Sequence, residues 1–217
     1  DEVEQLRTDE LLKKLRSGID FALFSDAGTP LISDPGHYLV EACWEHEIPV
    51  KPVPGVSAPM TALSVSAFPV EEFLFLGFLP KKEKSLRDKL LEIQYCPGTV
   101  VFFESPRRII STLEKIQSFL GDRLLFFGRE MTKMHEEYMR APVSEILDHL
   151  DGDTPKGEVT VLIHPAEDTG INAEDYLRDL LEKGVQLKDA AKAAARFSEH
   201  SKSELYSLGL EMDDEES

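Results

Sequence analysis

The feature that most constrains the fold is a repeated order of elements: a short apolar segment, a loop rich in glycine, proline and acid, and then a helical pattern. The first strand-like segments lie at 19–24 and 48–53, and the helical patterns lie at 4–16, 37–47 and 60–66. Strands that alternate with helices in this way are typical of a parallel sheet. The sequence therefore predicts an α/β fold.

The same alternation continues after a change of register around residues 67–70, where we place a domain boundary. Strands are predicted at 73–79, 99–103, 123–128, 138–141 and 158–164, and helices at 84–92, 108–120 and 143–150. Hairpin-like spacing near residues 123–141 allows antiparallel neighbours, so the second sheet can be mixed. We therefore expect two α/β lobes, a partial first lobe at residues 1–69 and a second lobe at residues 70–166.

A helical extension is predicted beyond a polar linker, at residues 173–210. Its three short helices, at 173–182, 187–197 and 203–210, suggest a helix-turn-helix-like arrangement. The sequence from Ser201 to Glu204 is a capping pattern for the third helix. Residues 211–217 are strongly acidic, and we expect a disordered tail there.

Composition excludes several classes of protein. The longest apolar stretch, residues 73–79, contains Gly77 and is far too short to cross a bilayer. The two cysteines form no CxxC pattern and the six histidines show no ligand spacing, which argues against disulfides and metal and favours a reducing cytoplasm. No basic segment with an apolar run opens the sequence, so no signal peptide is expected. We therefore expect a cytoplasmic protein with no membrane or metal partner.

The charge is strongly negative overall but unevenly distributed. A net charge of −17 argues against non-specific coating of nucleic acid, because phosphate neutralisation needs lysine and arginine. Residues 81–89, however, carry five basic and two acidic side chains, and Arg107 and Arg108 form a second basic point. Such a local patch can bind RNA in an acidic protein, although an ordinary solvated face is the alternative.

Two loops at the ends of the first predicted strands are candidates for ligand binding, since open α/β sheets bind ligands at strand carboxyl ends. In the first, FSDAGTP, Gly28 allows close approach of backbone, and Asp26 can accept hydrogen bonds from an amine or hydroxyl. The second is PGVSAP at 54–59. A well-made turn is the alternative, and we expect Asp34 to cap the following helix. Neither loop is a dinucleotide or triphosphate fingerprint.

Acidic and basic side chains also end two strands of the second lobe. Glu104 precedes Ser105 and two arginines, and Glu130 lies between Arg129 and Lys133. A carboxylate in such a place can position a hydroxyl or act as a base. Ordinary ion pairs are the alternative.

Together these stretches resemble one family. SDAGTPLISDPG, PGVSA, FLFLGFLP, VVFFESPRR, GREMTKMHEE and GEVTVLI occur in the order and at about the spacing of the S-adenosylmethionine-dependent tetrapyrrole methylases. They are most similar to the branch that methylates a ribose 2′-hydroxyl of a 16S ribosomal RNA cytidine, the small-subunit methyltransferase I family. That family has a strand, a TPIGN-type loop and an AEDTR-type stretch before the equivalent of Asp1, so we expect this chain to lack the first part of the catalytic module.

The resemblance implies a site between two lobes that binds S-adenosylmethionine. Its members in the first lobe would be Ser25, Asp26, Ala27, Gly28, Thr29, Pro54, Gly55, Ser57 and Ala58. In the second lobe they would be Phe103, Glu104, Ser105, Arg129, Glu130 and Glu158. Glu104, Glu130 or a neutral Lys133 would be the base.

The resemblance also implies 16S rRNA in the small ribosomal subunit as partner, and a homodimer. RNA would be bound by Lys81, Lys82, Lys84, Arg107 and Arg108, with Lys188, Lys192, Arg196 and Lys202 of the helical extension. Two alternatives stay open. One is a methylase of a tetrapyrrole or of a modified protein histidine, as in diphthine synthase. The other is a non-catalytic remnant that only dimerises or binds RNA.

Overall fold

The computed structural model describes residues 2–150, 155–166, 172–196 and 198–215. The chain divides into two compact units, Asp1–Thr61 and Ala62–Ser217. The domain boundary predicted around residues 67–70 stays a prediction.

The first unit is built from helices joined by long loops. It contains α1 (Glu2–Arg16), α2 (His37–Glu45) and the beginning of α3 (Ala58–Ser66). Gly18 ends α1, because its positive φ of 89° lets the Ile19 amide reach back to the Lys14 carbonyl at 3.2 Å.

The strands predicted in the first unit, at 19–24 and 48–53, are not formed, and this part of the prediction is wrong. Both segments lack regular secondary structure, and Phe24 and Val53 expose 84% and 88% of their surface. Alternating apolar side chains are not sufficient for a strand, because its backbone N–H and C=O groups must pair with a neighbouring strand. No such neighbour occurs among residues 2–61.

The second unit contains a mixed five-stranded sheet, which confirms the α/β class. Its strands are β1 (Phe73–Phe78), β2 (Thr99–Glu104), β3 (Leu124–Arg129), β4 (Glu137–Pro142) and β5 (Val159–Ile163), and the helices between them are α4 (Glu83–Glu92), α5 (Ile109–Leu120) and α6 (Val143–Leu150). The spatial order is β1-β2-β5-β3-β4. Only β1 and β2 pair in parallel, and the other three pairs are antiparallel.

The two faces of the sheet are covered differently. On one face, Val100 and Phe102 of β2 belong to a large core that α4, α5 and α6 complete. On the other face, Val101 packs in a smaller core with Leu63 of α3 and with Phe68. Because side chains alternate along a strand, Glu104 lies on the helix-covered face and Phe103 on the other.

Strand register brings the polar strand ends into one row. Glu104 is paired with Val159, Val159 with Arg129, and Arg129 with Glu137. The carboxyl ends of β1, β2 and β3 therefore lie along one edge of the sheet, which we call the carboxyl edge.

The helical extension consists of α7 (Ala173–Glu182), α8 (Leu187–Arg196) and α9 (Lys202–Glu215). The predicted cap of α9 is confirmed, since Ser201 and Glu204 exchange backbone-to-side-chain hydrogen bonds at 2.7 and 3.3 Å. The acidic stretch from 211 was expected to be disordered, but α9 continues to Glu215; residues 216–217 lie outside the described residues. A helix already capped and packed at its first turns extends at little cost per residue.

Tyr176 attaches the extension to the end of α4. Its hydroxyl lies 2.8 Å from both the Leu91 and the Glu92 carbonyl oxygens, and its ring is buried. Burial raises the pKa of Tyr176 well above its usual range. The hydroxyl therefore stays protonated and donates.

We expect Tyr176→Phe to lower the free energy of unfolding by about 1 kcal/mol, because buried carbonyls lose their donor. Urea unfolding measures the change. Tyr206→Phe is the control, since Tyr206 is 39% exposed and should change stability by much less. Equal effects of the two variants would contradict the assigned role.

Candidate functional site

The two glycine-containing loops of the first unit lie against each other. The Thr29 hydroxyl donates to the Val56 carbonyl oxygen at 2.9 Å. Within the first loop, the Ser25 hydroxyl donates to the carbonyl oxygens of Ala27 and Gly28 at 3.1 and 2.9 Å. The loops that sequence predicts to border one ligand are therefore adjacent, although the strands expected to carry them are absent.

Exposed backbone and one carboxylate are the ligand-binding groups that these loops offer. Gly28 has a positive φ of 72°, and a Cβ there would lie 3.9 Å from its nearest neighbour, the Val56 carbonyl oxygen. Asp26, Ala27, Pro54 and Gly55 are exposed. Ser57 accepts the Thr61 amide at 2.8 Å through its carbonyl oxygen, so Ser57 and Ala58 form the entry to α3.

The capping role predicted for Asp34 is wrong. Helix α2 begins at His37, and its N-cap is Gly36, with a φ of 125° and no side-chain cap hydrogen bond. Asp34 lies two residues before the cap, where its side chain is outside the usual reach of the first free amides. Glycine suits this position, because residues with a Cβ rarely adopt a φ of 125°.

Glu104, at the carboxyl end of β2, is held by two hydrogen bonds and one ion pair. Its Oε1 accepts the Ser105 amide at 2.7 Å, and its Oε2 accepts the Thr112 hydroxyl at 2.8 Å. The Arg108 guanidinium lies 3.4 Å from Oε2, and the Glu104 side chain is fully buried. The carboxylate that sequence offers as a base or cofactor contact therefore faces α5.

Glu130, Lys133 and Glu158, three residues that the sequence suggests for the site, meet at the carboxyl edge. The Lys133 ammonium donates to Glu130 at 2.8 Å and to Glu158 at 3.0 Å. The Glu130 carboxylate also accepts the Glu158 amide at 2.8 Å, and the Glu130 amide donates to the Glu158 carbonyl at 2.9 Å. The two strand ends are thus joined by one lysine and one carboxylate.

Gly157 makes this arrangement possible, and sequence reasoning missed it. A Cβ at Gly157 would lie 2.3 Å from the Glu130 side chain, and the residue has a φ of 92°. A glycine directly before the acid Glu158 at the start of β5 is the signal that could have identified it.

The charge state of the cluster follows from its geometry. Hydrogen bonds from the Lys133 ammonium and then from the Glu158 amide hold the pKa of Glu130 below its usual range. Its hydrogen bonds to Glu130 and then to Glu158 raise the pKa of Lys133. Lys133 is therefore an ammonium at neutral pH, which disfavours the neutral lysine base considered from sequence.

Arg129 belongs to a neighbouring ion pair. Its Nε lies 2.7 Å from Glu137, whose other oxygen lies 2.5 Å from His149 of α6. Burial raises the pKa of Glu137, but hydrogen bonds from Arg129 and His149 outweigh it and the net direction is downward. Arg129 also donates to the Lys156 carbonyl at 3.1 Å, so it orders the approach to β5.

Phe103 lies on the opposite face of the sheet from Glu104. Its ring contacts Phe75 and Phe78, with centroids 5.1 and 5.6 Å away. Phe78 remains 56% exposed. These aromatic side chains form an apolar border to the carboxyl edge. Ser105 is the second residue after Phe103 and lies just beyond the end of β2.

The basic side chains predicted to bind RNA lie in loops and first turns that leave this same edge. Lys81, Lys82, Lys84 and Arg107 are exposed, and their side chains make no ion pair with another described residue. Arg108 is different, because its guanidinium is bound to Glu104 and to the carbonyl oxygens of Leu79 and Pro80. In the extension, Lys188, Lys192 and Lys202 are exposed, whereas Arg196 is paired with Glu92 at 2.7 Å.

Neither a membrane-spanning helix nor a metal-binding cluster occurs among the described residues. None of their helices has the length and apolar character needed to cross a bilayer. Those residues also contain no group of three or more histidine, cysteine or acidic side chains that could hold a metal ion.

Sequence comparison defines the class. Residues 2–147 match the family described as Tetrapyrrole (Corrin/Porphyrin) Methylases. The fold agrees. The superposition on a cobalt precorrin-4 methyltransferase covers 73% of this chain and 69% of that protein's chain, with a TM-score of 0.53 and 14% identity. The superposition on a uroporphyrin III C-methyltransferase from Thermus thermophilus covers 75% of this chain and 73% of that protein's chain, with a TM-score of 0.51 and 17% identity.

Closer relatives identify the branch. Ribosomal RNA small subunit methyltransferase I of Vibrio cholerae is 42% identical over 97% of this chain and 76% of its own. The protein of that name from Thermotoga maritima is 47% identical over 74% of this chain and 72% of its own. The chain belongs to the tetrapyrrole methylase family, and within it to the branch of ribosomal RNA small subunit methyltransferase I.

Proposed function

We propose that this protein transfers a methyl group from S-adenosylmethionine to a cytidine ribose 2′-hydroxyl of 16S rRNA in the small ribosomal subunit. The observation that carries the proposal is 42% identity, over 97% of the chain, to a relative named for this class of substrate. The exposed lysines and arginine at the carboxyl edge support an RNA substrate, because phosphates are neutralised by such groups.

We propose donor contacts separately for the adjacent loops of the first unit and for the carboxyl edge of the second. Backbone groups of residues 25–29 and 54–58 suit a sulfonium nucleoside, and Asp26 can accept hydrogen bonds from its amino or hydroxyl groups. On the second unit, Phe103, Ser105, Arg129 and Glu158 border the donor. S-adenosylmethionine supplies an activated methyl group on a cationic sulfur.

The reaction is an in-line displacement. The ribose oxygen attacks the methyl carbon, the carbon–sulfur bond breaks with its electron pair going to sulfur, and a neutral thioether leaves. Holding the two reactants in line can supply several kcal/mol of the barrier. Positive charge is lost from sulfur, so a strong anion beside it would stabilise the ground state more than the transition state.

A base takes the ribose hydroxyl proton at or after attack, and Glu130 is our candidate. Its carboxylate is ionised, and the base need not be strong because the oxygen becomes acidic as it bonds to carbon. Lys133 acts as a cation, which holds Glu130 and Glu158 at the edge. We further propose that the protein works in the cytoplasm as a homodimer.

A tetrapyrrole substrate is the second candidate, favoured by the fold shared with precorrin and uroporphyrin methyltransferases. A small ring needs neither four exposed cations at the carboxyl edge nor a helical extension. A non-catalytic RNA-binding or dimerising remnant remains the candidate from another class. Donor binding separates it from both enzymes.

Calorimetry with S-adenosylmethionine tests the donor, and primer extension on small ribosomal subunits tests the methylated ribose. We expect Asp26→Ala to weaken donor binding by about tenfold, because hydrogen bonds to a charged group are lost. Asp20→Ala, at another exposed aspartate of the first unit, is the control and should bind normally. If neither this chain nor a version that also carries the family's TPIGN-type N-terminal segment bound the donor, both enzymes would be excluded. Donor binding without ribose methylation would favour the tetrapyrrole substrate.

A further inference from the structure

One guanidinium joins the two basic loops of the carboxyl edge. Arg108, at the start of α5, donates from Nη1 to the Leu79 carbonyl at 3.2 Å and from Nη2 to the Pro80 carbonyl at 2.8 Å. These carbonyls directly precede Lys81 in the β1–α4 loop. A planar fork that holds two consecutive carbonyls fixes both the distance and the orientation of that loop.

The Arg108 guanidinium is also held by an ion pair with Glu104. This fully buried carboxylate lies 3.4 Å from Arg108 and accepts hydrogen bonds from Ser105 and Thr112. Removing one partner of a buried charge leaves the other unpaired, so the members of such a network hold each other in place. The Thr112 hydroxyl belongs to this network although Thr112 is buried in α5.

The placement of Glu104 argues against contact with either substrate. Its side chain lies on the face of β2 that carries Val100 and Phe102 and is covered by helices, and every described contact of the carboxylate is internal. The Arg108 guanidinium is likewise occupied by hydrogen bonds to the Leu79 and Pro80 carbonyls and by the ion pair with Glu104. The exposed cations next to this network are Lys81, Lys82 and Arg107.

We propose that Glu104, Thr112 and Arg108 are positioning residues, which set the spacing of the exposed cations Lys81, Lys82 and Arg107 for the phosphates of the RNA substrate. This inference rests on the proposed RNA substrate. It replaces the roles of base or cofactor contact for Glu104 and of RNA contact for Arg108. The network acts through the loop and leaves the proton transfer to another group.

Substitution at Arg108 separates bracing from direct contact. Arg108→Lys keeps the charge but cannot bridge two carbonyls, whereas Arg108→Gln removes the charge. We expect both variants to bind small ribosomal subunits about tenfold more weakly, with unchanged affinity for S-adenosylmethionine. Arg16→Gln, which removes an exposed cation in the last turn of α1, is the control and should bind normally. Normal binding by Arg108→Lys with loss in Arg108→Gln would mean direct phosphate contact and overturn the proposal.

Thr112 gives a test at a residue that cannot touch RNA. Thr112→Val removes the hydroxyl and should weaken RNA binding and raise KM with little change in kcat, whereas Thr112→Ser should restore both. Hydrogen exchange at the Lys81 and Lys82 amides should be faster in the valine variant. Normal RNA affinity in folded Thr112→Val would sink the idea.

Glu104→Gln tests the role in chemistry. We expect a raised KM for the RNA and an unchanged pH profile of kcat. Loss of kcat together with loss of the acidic limb of the profile would instead identify Glu104 as the base. If the unaltered protein bound no small subunit, the proposed function would fail, whereas exchange at the loop amides would still report whether the brace exists.

Discussion

The change of Lys81, Lys82 and Lys84 together to glutamate is expected to weaken binding to small ribosomal subunits by about two orders of magnitude at physiological salt. The three side chains are exposed and, among the described residues, make no competing ion pair. Each lost phosphate contact should also reduce the slope of log affinity against log salt by about 0.7, so the slope should fall by roughly 2. Filter binding or fluorescence anisotropy over a salt series measures both quantities.

The control changes the same charge elsewhere. Lys13, Lys14 and Arg16 end α1 in the first unit, and replacing all three by glutamate lowers the net charge by the same six units. If net charge alone governs association, the two variants will bind equally weakly. An unchanged salt slope in the variant at residues 81, 82 and 84 would leave that segment an ordinary solvated face.

Among substitutions that add one methyl group at the carboxyl edge, Gly157→Ala is expected to cause the largest losses of stability and of methyl transfer. The added carbon would lie 2.3 Å from the Glu130 side chain, at a φ of 92° that residues with a Cβ rarely adopt. The backbone strain alone costs on the order of 1–3 kcal/mol. Displacing Glu130 also breaks its bonds to Lys133 and the Glu158 amide, so we expect methyl transfer to fall by about a hundredfold as well.

Gly121→Ala separates the two effects. Gly121 has a similar φ of 76°, but a Cβ there would meet no atom within 4 Å. Its variant should therefore show the strain in urea unfolding and keep its rate of methyl transfer. Equal losses of activity in the two variants would mean that backbone strain, and not the position of Glu130, governs the rate.

The sequence predicted the strands of the second unit well because each of them finds a pairing partner within that unit. The segment 123–141 forms the β3–β4 hairpin that its spacing suggested, and β5 inserts between β2 and β3. The same apolar signal failed at 19–24 and 48–53, where no strand of the first unit pairs with either segment. Local pattern thus describes a strand's side chains, but pairing of its backbone decides whether the strand exists.

The candidate site divides in the same way. Sequence located Glu130, Lys133 and Glu158 at strand ends, and register brought them together across positions 25 and 28 residues apart. The direction of Glu104 could not be read, because Val100 to Phe103 are apolar on both faces and give no period of two. Its burial under α5, and the engagement of Arg108 with two carbonyls, depend on packing that no local pattern encodes.

Helix α4 follows the basic β1–α4 loop at one end, and at its other end it provides the carbonyl groups that accept the Tyr176 hydroxyl. Its ten residues form a rod about 15 Å long. Cations of the β1–α4 loop and those of the docked extension are therefore held at a set distance and cannot move independently. An RNA bound to one group of cations meets the second group at high effective concentration, so two weak contacts would combine into a higher overall affinity. That gain in affinity would be lost if helix α4 were interrupted.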